Sequence, residues 1–163
     1  MMDFRLVRAA AAAALLAVSA QSAAAGSETL SKALAPAALE AAAAVDAFHA
    51  ALRRGDTRAA AALLTDDALV FEEGRAERSK AEYSARHLGA DSEFSKAVAA
   101  EAVRRHGDAS GDFAWIATEG RAKGSFRGNP VNRVTDETMV LRRIGGAWKI
   151  VHIHWSSAAS SVE

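Results

Sequence analysis

Two hydrophobic periods divide this chain near residue 98. Before it, apolar positions recur at the three- and four-residue spacing of helices; after it they alternate with polar ones at the period of strands. Pro36 suits the first turn of a helix running to about Arg54, with Leu39, Ala42, Val45, Ala47, Phe48, Ala51 and Leu52 available for a buried stripe. Gly55 ends it, and Asp56 or Thr57 caps a short second helix through Leu64. Asp66-Asp67 turns the chain into a strand from Ala68 to Glu72. Ser79-Lys80-Ala81-Glu82 is a capping box opening a third helix through His87 or Leu88. Asp91 can cap a further turn carrying Phe94. Strands follow near 98–106, 112–126, 131–144 and 147–156, separated by Gly107-Asp108, Gly128-Asn129-Pro130 and Gly145-Gly146. Helices first and a meander afterwards predict an α+β domain, with helices packed on one face of a mainly antiparallel sheet.

The last hairpin is the most informative segment. A two-residue Gly145-Gly146 turn makes the numbers of cross-strand partners sum to 291. Leu141 then faces Ile150, Met139 faces His152 and Glu137 faces His154, all on one surface with Trp148. Val140, Val151, Ile153 and Trp155 fall on the other. Helices can cover only one of these apolar faces, which predicts a partner subunit on the second, in a symmetric homodimer.

Composition narrows the class. Arg5 and Arg8 precede an apolar run from Ala9 to Ala20, and Ala23-Ala24-Ala25 supplies a small-residue cleavage pattern, with cutting before Gly26. The run is shorter than the roughly 20 residues of a spanning helix. Residues 1–25 therefore read as a signal peptide, 26–36 as a leader, 37–157 as one domain and 158–163 as a tail. The expected location is the periplasm or the medium. Removing Asp3, Arg5 and Arg8 with the signal turns 20 basic and 20 acidic residues into 18 and 19. A balance so near zero argues against nucleic acid and against a polybasic membrane surface. The chain has no cysteine, so it has neither disulfide nor thiolate chemistry.

The alanine-rich first helix, the LLTDDALVFEEG segment and the closing NPVNRVTDETMVLRRIGGAWKIVHIHWSS together resemble the nuclear-transport-factor-2-like (NTF2-like) superfamily, and within it the SnoaL-like branch. The closing segment also resembles the association domain of calmodulin-dependent kinase, which carries a similar E-T…RR-x-G-x-W…V-H-x-H-x-S arrangement. The resemblance spans about residues 37 to 157. It implies a curved sheet around a cone-shaped cavity, usually in a dimer. This fold hosts isomerases, cyclases, dehydratases and assembly domains alike, so the resemblance does not choose an activity.

His152 and His154, two apart on a strand, are the sharpest candidates, with rings roughly 6 to 7 Å apart on one face. His154 opposite Glu137 would form an imidazole–carboxylate pair able to act as a general base. The alternative is that both histidines simply serve the sheet, each bonded to neighbouring backbone. The expected pocket combines Met139, Leu141, Ile150, His152 and Glu72 with Tyr83 and His87 from the third helix. Glu72 with Tyr83 makes a further possible base and hydrogen-bond donor. A metal reading would use His152 and His154 with Met139 for copper, or with Glu137 for zinc or iron, and His87 could approach from the third helix. There is no Gly-rich phosphate loop, G-x-S-x-G or H-E-x-x-H pattern, and no cofactor is expected. Three functions stay open: an exported binder of a small, largely apolar molecule, an isomerase- or dehydratase-type enzyme, and a structural dimerisation module.

Overall fold

The computed structural model describes residues 34–161. The expected signal peptide and most of the leader lie outside the described residues. A short 3-10 turn, Pro36–Ala38, leads into α1 (Leu39–Arg54), followed by α2 (Thr57–Ala62), α3 (Lys80–Arg86) and α4 (Leu88–Ala97). The strands are β1 (Leu64–Glu72), β2 (Arg75–Glu77), β3 (Val98–Ser110), β4 (Phe113–Phe126), β5 (Asn129–Ile144) and β6 (Ala147–Ala159). They form one curved sheet in the order β2-β1-β6-β5-β4-β3. All pairs are antiparallel except β1 with β6.

Local chemistry sets the element ends. Gly55, at φ 78°, terminates α1 in the left-handed conformation that only glycine enters freely. The Asp56 side chain accepts from Ala59 N at 2.9 Å to cap α2. The capping box opens α3 as expected: Ser79 Oγ accepts from Glu82 N, and the Glu82 carboxylate accepts from Arg78 N. Glu73 and Gly74 both take positive φ and form a hairpin turn that the sequence reading missed, producing β2. Gly107 is no turn. It sits within β3 opposite Ile116, where an added Cβ would lie 2.7 Å from Ile116 Cδ1, so strand and core approach each other through a missing side chain.

The core lies between α1 and the concave face of the sheet. Val45 and Phe48 of α1 are fully buried against Ile116, Met139, Leu141, Ile150, Ile153 and Val70. Burying side chains of this size stabilises by roughly 1.5–3 kcal/mol each.

The hairpin register holds only next to the turn. Leu141 pairs with Ile150, and Arg142 with Lys149, as the sum of 291 requires. Beyond a β-bulge the partners become Val140 with His152, Met139 with Ile153, Thr138 with His154 and Glu137 with Trp155. Val151 is the extra residue. One inserted residue reverses every later side chain, because strand faces alternate with period two. Ile153 and Trp155 consequently join the core side, and His152 and His154 turn to the convex face.

Candidate functional site

The register places one polar row across all six strands. Arg105 of β3 pairs with Thr118 of β4, Thr118 with Glu137 of β5, and Glu137 with Trp155 of β6. Trp155 pairs with Glu72 of β1, and Glu72 with Arg75 of β2. The neighbouring row is apolar where Ile116, Met139, Ile153 and Val70 pair in turn. The helices close over both. Phe48 of α1 stacks on Trp155 with ring centroids 6.3 Å apart, and Tyr83 of α3 lies 6.5 Å from the same indole.

At one end of this row Glu72 is half-buried among acids. Loss of hydration pushes its carboxyl up to about 7, and the charges of Asp91, Glu73 and Glu77 add to the effect while His87 opposes it. The Tyr83 hydroxyl donates to Asp91 Oδ2 at 2.6 Å. Asp91 itself is raised by burial, against the Tyr83 hydrogen bond and the His87 charge, with Glu77 adding to the rise. Tyr83 is fully buried, and burial with the adjacent Asp91 raises its phenol too. His87 Nδ1 bonds to the buried Glu77, and its Nε2 lies 3.3 Å from Arg75 Nη1.

At the centre of the row, Glu137 Oε2 receives Trp155 Nε1 at 2.7 Å and His49 Nε2 at 2.8 Å. Burial alone would raise the Glu137 carboxyl. The His49 hydrogen bond and charge, the Trp155 hydrogen bond and the Arg105 charge outweigh burial and hold it below its ordinary value. Arg105 in turn ties this end to α1 through Asp46, at 2.7 Å.

Several expected residues change place. Glu137 has a histidine partner, but it is His49 of α1; His154 stands opposite Thr138 on the convex face, so the Glu137–His154 pair does not form. His152 also leaves the expected pocket. Its Nδ1 lies 3.1 Å from the Leu69 carbonyl, the backbone role weighed above, and both its ring and that of His154 pack near Phe71. The candidate metal set fails for the same reason, because Met139 stays inside while both histidines are outside. Glu137 is likewise separated from the two histidines, and His87 is engaged with Glu77 and Arg75. Among the described residues no group of three His, Asp or Glu side chains is placed to hold a metal ion. Met139, Leu141 and Ile150 are inside as expected, yet each is fully enclosed in the core. Glu72, Tyr83 and His87 do come together.

The sequence reading had no role for Glu77, Arg105, Trp155 or His49 here and took Asp91 only for a cap. One signal was available. Trp148 and Trp155 are seven residues apart, and an unbroken strand would put them on opposite faces; only a bulge brings both inward.

The convex face carries the apolar surface left over. Leu69, Phe71, Phe113 and Trp115 are exposed there, the last two at 55% and 45%. A cleft of about 380 Å³ between Phe113, Trp115 and Val140 opens on the same side. A second cleft, about 320 Å³, lies away from the polar row, between Pro36, Glu40, Gly111, Arg143 and Trp148.

A SnoaL-like domain model matches residues 41–160. Among solved structures, a ketosteroid-isomerase candidate from Shewanella frigidimarina is 32% identical, with TM-score 0.71, covering 76% of this chain and 100% of that one. A dehydratase candidate of the NTF2-like family from Streptomyces avermitilis is 20% identical, with TM-score 0.65 over 74% and 95% of the two chains. The association domain of C. elegans CaMKII shares the fold at 19% identity and TM-score 0.55, over 69% and 88%. No curated protein matches the sequence.

Proposed function

Because this chain belongs to the SnoaL-like family of the NTF2-like fold, we propose that its concave face binds a small, largely apolar carbonyl compound and moves a proton on it, in the manner of an isomerase or dehydratase. The observation that carries the reading is Glu72: a carboxyl raised to about 7, on the inner face beside Trp155. A general base works best with a pKa near the operating pH, where it is both ionised and basic enough to take a proton. Tyr83 acts behind it, fixing the Asp91 carboxyl whose charge helps raise Glu72. Imidazole–carboxylate pairs are present, but as His87–Glu77 and His49–Glu137 rather than as the expected His154–Glu137.

Exchange of the α-protons of cyclohexanone in D₂O, followed by proton NMR, tests this without knowing the natural substrate. The protein should accelerate exchange in proportion to its concentration. A rate equal to that of buffer alone removes the enzymatic reading.

Two further properties belong to the same proposal: export and homodimerisation. Export is supported by the Arg5/Arg8, Ala9–Ala20 and Ala23-Ala24-Ala25 pattern. Homodimerisation through the convex face is supported by exposed Leu69, Phe71, Phe113 and Trp115, with the association-domain neighbour in line with assembly. Light scattering and intact mass on protein taken from the periplasmic fraction check both. A dimer of chains beginning at Gly26 is expected, and Trp115→Glu should give monomers. A parent monomer refutes the interface, and an uncleaved N-terminus refutes the signal peptide.

A further inference from the structure

Glu137 is a buried charged group with one carboxylate oxygen left without a donor. It is 9% exposed and held ionised, and two donors converge on Oε2. Its Oε1 is buried and receives none. An ionised carboxylate has about four acceptor sites and no donor, so the vacant oxygen calls for a donor. Leaving it unmet costs on the order of 1–3 kcal/mol, which a fold retains where a ligand supplies the missing bond.

We propose that Oε1 of Glu137 accepts a hydrogen bond from a hydroxyl on the bound molecule, and that the ligand class is therefore a hydroxyketone. This deepens the proton-transfer reading and rests on it. Glu72 and Glu137 are the two cross-strand neighbours of Trp155, one strand to each side. Two strand spacings put their backbones about 10 Å apart, with the indole between them. A molecule lying along Trp155 would present its carbonyl to Glu72 at one end and its hydroxyl to Glu137 at the other. A neutral hydroxyl fits better than an ammonium group, because His49 and Arg105 already offset the Glu137 charge. The ketone end needs no second acid there, and Glu137, held ionised, acts by binding rather than by proton transfer.

The test compares two probes, a para-hydroxyphenyl butanone and the same ketone without its hydroxyl, by calorimetry on the full-length mature protein. The parent should bind the hydroxyketone at least about 10-fold more tightly, the size of one hydrogen bond to a charged acceptor. In Glu137→Gln the amide can still accept from Trp155 and His49, while its NH₂ offers a donor in place of the vacant acceptor. The preference should then fall to about one. Equal affinities in the parent would show that water satisfies Oε1 and would overturn the inference while leaving the proton-transfer reading intact. Binding of neither probe, with no exchange of cyclohexanone, would overturn both. Should Glu137→Gln fail to fold, the parent's own ratio still decides.

Discussion

Replacing Glu72 by glutamine is expected to lower ketone exchange by about 100- to 10,000-fold, the contribution of a positioned general base. In the parent the rate should rise with pH through about 7, because the carboxyl must lose its proton before it can accept one from substrate. The stability of the same variant should move the opposite way. Glu72 is raised from an ordinary 4.5 to about 7, so between those values the folded chain holds a proton that the unfolded chain has released. Its contribution is complete below about 4.5 and is lost as pH rises through 7. At pH 8 the parent carries an ionised carboxylate in a partly dry, acidic cluster, and Glu72→Gln should be more stable by about 1–2 kcal/mol after allowance for solvent screening. At pH 4.5 the gain should vanish. Urea unfolding at the two pH values, read beside the exchange rate, checks both signs. A variant with full exchange activity, or one that gains nothing at pH 8, would show that Glu72 is an ordinary solvated acid.

The second large effect concerns the bulge. Ile153→Asp should abolish cooperative folding at ordinary temperature, while His154→Ala should change unfolding by no more than about 0.5 kcal/mol. Ile153 is fully buried against Met139 and Val70, so aspartate there loses apolar burial and places an unpaired carboxylate in the core. Together these exceed about 4–5 kcal/mol, within reach of the 5–15 kcal/mol that holds a typical domain together. His154 is exposed and its removal leaves no hole. Tryptophan fluorescence during urea unfolding distinguishes the two variants. The reverse ranking would mean that the strand runs without a bulge and that the histidines face inward after all.

Most elements that local chemistry governs were legible, the Glu73-Gly74 hairpin being the exception. The Ser79 box, the Gly55 stop and the Gly145-Gly146 turn use residues within a few positions of each other, so they carry their outcome in any tertiary setting. The period-two pattern after residue 98 likewise announced the meander, though β3 runs through Gly107 to Ser110. The site was legible only where it needed no register beyond the turn. Glu72, Tyr83 and His87 were chosen for their types and converge as expected, but the partners Asp91 and Glu77 come from a helix start and an edge strand whose approach no short pattern encodes.

The sequence by itself determined the leading helices and the closing meander, their order, the family and the near-turn pairing of Leu141 with Ile150, though not the edge strand β2. Tertiary structure decided which face of the last strand points inward beyond that pair. Trp148 and Ile150 favour one parity, Ile153 and Trp155 the other, and the strand alone cannot choose between them. The choice is made by distant surfaces: Phe48 of α1 stacks on Trp155, and β1 lies parallel to β6 with Val70 against Ile153. Burying both apolar pairs is worth more than the ladder bonds interrupted at Val151, so the strand bulges. His152 and His154 are carried to the outside, and Glu137 is left to His49 and Trp155.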